Sequence, residues 1–151
     1  MATHLQVGDK APAFTGIDQN KGNVSLKDFP GKKVVLYFYP EDDTPACTAQ
    51  ACNLRDNFFL LKAQGYEIIG ISPNDVESHQ KFKSKYELPF TLLSDPQHTI
   101  IDKYGVWGEK NLYGRKFMGL LRTTFVINEQ GYITKILRRP KTKIHTEEIV
   151  E

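Results

Sequence analysis

Two cysteines are the residues of this sequence best suited to chemistry. Cys47 and Cys52 lie five positions apart and are the only cysteines among 151 residues. Cys47 follows Thr44 and Pro45, a pair typical of a helix start, because threonine is a good N-cap and proline suits the first helical position. Cys47 would then be the third helical residue, beside unpaired backbone N–H groups at the positive end of the helix dipole. Both effects favour the nucleophilic thiolate. The pattern indicates a redox-active cysteine with a resolving partner.

A helix start alone supplies too little energy to activate a cysteine at neutral pH. Moving a thiol pKa from about 8.5 to about 6 needs roughly 3.4 kcal/mol, whereas a helix N-terminus supplies at most about 2 kcal/mol. A fixed cation would add about 1.5–3 kcal/mol, so a basic partner is required. Arg122 is the best-placed candidate, because it directly precedes an apolar strand pattern and arginine stays charged when buried. The alternative for Arg122 is a surface residue at a strand edge.

Length, composition and charge limit the class to which this protein can belong. With 151 residues, 40% of them hydrophobic, residues 1–151 are expected to form a single domain. The formal net charge is +2 with interspersed signs, which does not indicate nucleic acid or a membrane surface as a partner. We find no apolar run near the ~20 residues of a membrane-spanning helix and no signal-peptide pattern at the start. We therefore expect a cytoplasmic protein, in which a lone cysteine pair is more often catalytic than structural.

Hydrophobic patterns predict the elements that must position these residues. Residues 34–39 and 67–72 are apolar runs typical of buried strands, and a helical pattern over 45–64 between them predicts a βαβ unit with parallel strands. Residues 13–17 and 23–26 predict an N-terminal β-hairpin. Together they favour an α/β fold, a central mixed β-sheet with helices on both faces. The other predicted elements are helices at 75–86 and 95–104, a strand at 90–93, a loop at 105–121, an antiparallel hairpin of 123–127 with 132–137, and a last helix.

The segment from Pro40 to Thr48, with the sequence PEDDTPACT, resembles the active-site signature of the peroxiredoxins. With Cys52 five residues after Cys47, it is similar to the bacterioferritin comigratory protein branch, also called Q-type. The segment from Arg122 to Ile127 resembles the one that carries the active-site arginine of that branch. Two stretches between residues 104 and 119 are also similar to it.

This resemblance extends over nearly the whole chain, from about Leu5 to Ile149. It departs from the family at Ala46, where glycine is usual. Alanine is the better helix former by about 1 kcal/mol. The first turn of the helix is therefore expected to open less easily than in the family.

The resemblance implies a thioredoxin-like fold and a thiol-dependent peroxidase that needs no cofactor and no metal. Cys47 would be the peroxidatic thiolate, which attacks hydrogen peroxide or an organic hydroperoxide and becomes a sulfenic acid. Arg122 would hold the thiolate, Thr44 would offer its hydroxyl to the thiolate or the peroxide, and Pro40 would shield the cysteine from water. Cys52 would condense with the sulfenic acid to an intramolecular disulfide, and a thioredoxin-type donor would reduce it. The branch resemblance favours a monomer.

Helix geometry adds a conformational expectation. In a continuous helix over 45–64, Cys47 and Cys52 differ by a ~7.5 Å rise and about 140° of rotation, which separates their Cα atoms by roughly 8.7 Å. A disulfide requires less than ~7 Å. The first two turns must therefore open before the disulfide forms.

Other functions use parts of the same pattern. A general thiol–disulfide oxidoreductase typically carries Cys-x-x-Cys, and has proline where this chain has Arg122-Thr123. A cysteine hydrolase needs a histidine base, and no histidine lies at an obvious strand end; His79 is aligned with apolar residues for packing. A non-enzymatic redox sensor would keep both cysteines and stays open as an alternative. Taken alone, Cys52 is as often an inert core residue, and Thr44 can be only an N-cap.

Overall fold

A mixed β-sheet forms the centre of the molecule. The computed structural model describes residues 3–150, with the side chain of Leu112 left out. Seven strands form the sheet in the order β2-β1-β5-β4-β3-β8-β9, and β6 pairs with β7 in a separate hairpin. The strands are β1 (Thr15–Asp18), β2 (Asn23–Ser25), β3 (Lys33–Phe38), β4 (Tyr66–Ser72), β5 (Thr91–Ser94), β6 (Trp107–Leu112), β7 (Arg115–Leu120), β8 (Thr123–Ile127) and β9 (Ile133–Leu137).

The three central strands, β3, β4 and β5, are parallel, and the strands on either side of them, β1 and β8, are antiparallel to them. β3 pairs with β4 and β4 with β5 in parallel, which confirms the predicted βαβ unit. β8 runs antiparallel to β3 and places Thr123 opposite Phe38, the last residue of β3. The predicted hairpins β1–β2 and β8–β9 are also confirmed. The chain therefore leaves β3 and enters β8 at the same edge of the sheet.

Helices cover both faces of this sheet, as predicted. They are α1 (Pro45–Asp56), α2 (Phe58–Ala63), α3 (Val76–Tyr86), α4 (Thr99–Tyr104) and α5 (His145–Val150). Alternate residues of β3 face opposite sides, so that Val35 and Tyr37 pack with Cys47 in one buried cluster while Leu36 and Phe38 belong to the other. None of the helices within residues 3–150 is long and apolar enough to cross a membrane.

The prediction of one continuous helix over 45–64 is wrong. α1 ends at Asp56, and Asn57 leaves the helical conformation with φ −110° and ψ 15° before α2 begins. The side-chain amide of Asn57 donates to the carbonyl of Asn53 over 2.8 Å, a local bond that competes with the helix ladder. The break lies after Cys52, so both cysteines still belong to one helix.

The prediction of a loop at 105–121 is also wrong, because β6 and β7 form a hairpin there. Its turn is Tyr113-Gly114, and both residues have positive φ, 53° and 79°, as a two-residue hairpin turn requires. Gly108 pairs with Gly119 in the middle of the hairpin. Glycine lacks a side chain to show alternation, which hides the strand pattern in the sequence.

The predicted helix at 95–104 begins later, at Thr99. Asp95 nevertheless caps it, because its carboxylate accepts the N–H groups of Ile100 at 3.0 Å and Ile101 at 2.7 Å.

Candidate active site

Cys47 lies at the edge of the sheet where β3 ends. It is the third residue of α1, as predicted, and only 1% of it is exposed. Cys47 belongs to the same buried hydrophobic cluster as Tyr37 and Leu54. A nucleophile so deeply placed is accessible to a small molecule more readily than to a protein disulfide.

Arg122 reaches this cysteine from the neighbouring strand. It directly precedes β8, whose first residue lies opposite the end of β3. Its Nη2 donates to Cys47 Sγ over 3.2 Å, and its Nη1 donates to Gln50 Oε1 over 2.7 Å. The structure therefore brings together the cation and the thiol that the sequence singled out.

Gln50 is a site residue that sequence reasoning missed. It is completely buried, one helical turn after Cys47. Its Oε1 accepts a hydrogen bond from Nη1 of Arg122, while Nη2 of the same guanidinium contacts Sγ of Cys47. Gln50 therefore orients the guanidinium. The signal available in the sequence was a glutamine at position i+3 from the cysteine, on the apolar stripe of the helix.

Thr44 and Pro40 belong to the loop between β3 and α1. Thr44 occupies the N-cap position with extended φ and ψ of −94° and 157°. Its hydroxyl does not cap the helix, contrary to the N-cap alternative; it donates to the carbonyl of Glu41 over 2.9 Å. Pro40 is half-buried. To donate to a peroxide, the Thr44 hydroxyl must turn away from Glu41.

A buried polar cluster anchors this loop to α3. The carboxylate of Asp42 accepts from Tyr39 at 2.5 Å and from Ser78 at 2.7 Å, and it lies 2.7 Å from Nδ1 of His79. Nε2 of His79 lies 3.0 Å from the carbonyl of Leu93. His79 is therefore more than the packing residue that the sequence predicted, because both its ring nitrogens bind oxygen acceptors.

The phenols of Tyr37, which lies on β3, and Tyr39, which directly follows β3, stay protonated at ordinary pH. Burial raises the pKa of Tyr37 well above its usual value, and the nearby Cys47 adds to the rise. Burial also raises the pKa of Tyr39, with Tyr37 and Asp42 adding to it. Tyr39 therefore donates a hydrogen bond to the carboxylate of Asp42 and helps to hold the loop.

Comparison with known proteins shows the family of this chain. The family model described as AhpC/TSA family matches residues 7–136, most of the chain. The chain belongs to the AhpC/TSA family. The sequence is 44% identical to Peroxiredoxin Bcp of Escherichia coli strain K12 over 141 residues, which cover 93% of this chain and 90% of the relative. It is 40% identical to Peroxiredoxin Bcp of Bacillus subtilis strain 168 over 147 residues, covering 97% and 94%.

Solved peroxiredoxin structures share the fold. Peroxidoxin BcpB of Mycobacterium tuberculosis superposes with a TM-score of 0.86 at 30% identity, covering 97% of this chain and 95% of that one. The bacterioferritin comigratory protein of Xanthomonas campestris, described with an alkyl peroxide reduction activity, gives a TM-score of 0.85 at 26% identity, covering 98% and 94%. The resemblance seen in the sequence and the thioredoxin-like fold are both confirmed.

Cys52 completes the pair of thiols in this peroxiredoxin fold. Both cysteines are free, and Cys52 is half-buried in α1, away from the stripe of Cys47. After Cys52, side-chain hydrogen bonds hold α1 to other segments of the fold. Asn53 binds the carbonyl of Lys143 and the N–H of Thr146, and Arg55 binds the carbonyl of Tyr86. The turns before it are therefore the part of α1 best able to open.

A metal centre finds no support in the part of the chain that the structure describes. Across residues 3–150, no three His, Cys, Asp or Glu side chains lie close enough together to hold an ion. His79 and His145 are both fully buried and bind Asp42 and Glu148 respectively, rather than Cys47. Neither of these two buried histidines therefore serves Cys47 as the base that a cysteine hydrolase would need.

Proposed function

We propose that this peroxiredoxin reduces hydrogen peroxide and organic hydroperoxides at Cys47. The observation that carries the proposal is the 3.2 Å hydrogen bond from Arg122 to Sγ at the start of α1. A cation and a helix N-terminus at the same sulfur together supply the stabilisation that a reactive thiolate needs. The 1% exposure of Cys47 argues against a general thiol–disulfide oxidoreductase, whose sulfur must meet protein substrates.

In the first step, the thiolate of Cys47 attacks one peroxide oxygen. The S–O bond forms as the O–O bond breaks, and the sulfur loses two electrons to give a sulfenic acid. The leaving oxygen takes a proton and departs as water or an alcohol. Arg122 stabilises the charge that moves from sulfur to oxygen, Thr44 supplies a hydroxyl hydrogen bond, and Pro40 limits access by water.

In the second step, the thiol of Cys52 attacks the sulfenic sulfur of Cys47. A disulfide forms and the sulfenic oxygen leaves as water. Because α1 is intact and the two Cα atoms are roughly 8.7 Å apart in a helix, the first turns must open before this bond can form. A dithiol donor of the thioredoxin type, typical of the family, then returns both cysteines to thiols.

We also propose that the chain works as a single domain and a monomer in the cytoplasm. The two buried clusters lie on opposite faces of one sheet, which supports a single folding unit. The redox cycle begins and ends with two reduced thiols, a state that a reducing compartment maintains.

The number of peroxide molecules consumed per chain distinguishes a peroxidase from a redox sensor. With excess thioredoxin-type reductant, the wild type should consume many peroxide molecules per chain. Cys47→Ser should consume none, and Cys52→Ser should consume one and stop. Consumption that ends at one equivalent in the wild type, with reductant still present, would favour the sensor.

A further inference from the structure

A cationic cavity adjoins the arginine that contacts Cys47. The cavity has a volume of about 520 Å³, within the range of small-molecule sites. Its wall includes four basic side chains and one carboxylate. The basic residues are Lys110, Arg122, Arg138 and Arg139, and the carboxylate is that of Glu109.

Within residues 3–150, no carboxylate forms an ion pair with any of the four basic residues, and Glu109 lies 3.9 Å from Lys116 instead. Arg122 binds Gln50 and Cys47, and Arg138 binds the carbonyls of Thr3 and Leu5, all of them without a formal negative charge except a Cys47 thiolate. Burial and the positive charge of Arg122 lower the pKa of Lys110, although Cys47 opposes the shift. Like charges held together in a concave site are unfavourable unless an anion binds between them.

The β6–β7 hairpin positions the side chain of Lys110. It lies on β6, and a Cβ added at Gly119 of β7 would approach its Cδ to 3.0 Å. The lysine stem thus passes over a position that has no side chain, which brings its charge towards the cavity. Arg139 contributes from the segment after β9, on the other side of the same cavity.

We propose that this cavity binds an anionic group on the substrate, so that the enzyme prefers hydroperoxides bearing a carboxylate. This inference rests on the proposed peroxidase function. One guanidinium, that of Arg122, both lines the cavity and contacts Sγ. A substrate whose carboxylate occupies the cavity therefore has its peroxide end directed to the neighbourhood of Cys47. Lys110 and Arg139 are specificity-determining residues and take no part in the sulfur chemistry.

Two hydroperoxides that differ only in charge test the proposal. The rate constant for Cys47 oxidation is measured with neutral cumene hydroperoxide, with its para-carboxylate and with hydrogen peroxide. The wild type should oxidise the carboxylate faster than the neutral compound by about tenfold at low ionic strength, and added salt should reduce the difference. Lys110→Met with Arg139→Gln should abolish the preference, so that the rate with the carboxylate falls by about tenfold more than the rate with hydrogen peroxide.

Arg115→Gln is the matched control. Arg115 lies on the same hairpin but not in the cavity wall, so this variant should keep the preference. Equal rates for the two hydroperoxides in the wild type would overturn the proposal, as would a preference that survives the double substitution. Slower reduction by thioredoxin with an unchanged preference would assign the cavity to the reductant instead. Failure of the proposed function would appear separately, as no reaction of the wild type with hydrogen peroxide.

Discussion

Arg122 donates a hydrogen bond from Nη2 to the sulfur of Cys47 over 3.2 Å, although the two residues are 75 positions apart in the chain. The contact depends on the antiparallel pairing of β8 with β3, which brings the start of one strand to the end of the other. It joins the positive charge to the nucleophile without any intervening residue.

Replacement of Arg122 should slow the attack on peroxide. A charge-assisted hydrogen bond contributes about 1.5–3 kcal/mol, so Arg122→Ala should lower the rate constant of Cys47 oxidation by about 10- to 150-fold. Arg122→Lys should recover only part of the loss, because lysine cannot bind Gln50 and Sγ as a fork. Stopped-flow kinetics with hydrogen peroxide measure the effect. An Arg122→Ala rate equal to the wild-type rate would show that another cation serves Cys47.

The Asp42–His79 pair should stabilise the loop between β3 and α1. Asp42→Asn removes the carboxylate that binds Tyr39, Ser78 and His79, and we expect the free energy of unfolding in urea to fall by about 1.5–3 kcal/mol. Asp43→Asn is the control at the next position. The exposed carboxylate of Asp43 binds Lys85 and Tyr86, which lie on α3, the helix that also carries His79. This substitution should change stability little, because exposed ion pairs contribute little. Equal losses in the two variants would contradict the anchoring role.

Opening of α1 should limit disulfide formation. Ala46→Gly weakens the first turn by about 1 kcal/mol, so it should speed formation of the disulfide by about fivefold and leave the first oxidation step unchanged. Ala63→Gly, in α2 beyond the opening segment, should change neither step. Rapid-quench mass spectrometry counts the sulfenic acid and the disulfide. Identical disulfide rates in Ala46→Gly and the wild type would remove the argument from helix opening.

His145 should make the fold less stable in mild acid. Burial lowers its pKa below the usual 6.5, and the charge of Arg122 assists, whereas Glu148 opposes the shift. The unfolded chain therefore binds a proton at a higher pH than the folded one. Stability should fall as the pH decreases through about 6.5 towards the folded-state pKa. His145→Gln should lose less of its unfolding free energy between pH 8 and pH 5 than the wild type. An identical loss would show that other groups carry the acid sensitivity.

Sequence reasoning reached the parts of the site that lie close together in the chain. Thr44 lies at the N-cap and Cys47 and Cys52 lie in α1, where local helix-start chemistry predicts them, and Arg122 contacts Cys47. The 45–64 helix was predicted without its break, because the bond from Asn57 to Asn53 competes with an otherwise regular helical pattern.

The contacts that were missed join distant segments or lack a side-chain signal. Asp42 and His79 are 37 positions apart, and no local pattern indicates their pairing. The β6–β7 hairpin carries glycines opposite one another, which removes the alternation that reveals a strand. The cavity shared by Lys110 and Arg139 depends on that hairpin, so it could not be inferred without the fold.

Site-resolved trapping of the sulfenic acid tests the central claim most directly. The Cys52→Ser variant is treated with one equivalent of hydrogen peroxide and a sulfenic-acid reagent, and the labelled residue is identified by mass spectrometry. We predict one label per chain, on Cys47, and no label in Cys47→Ser under the same conditions. No label on Cys47 in the Cys52→Ser variant, or a label on Cys52 in Cys47→Ser formed at a comparable rate, would contradict the assignment of Cys47 as the nucleophile.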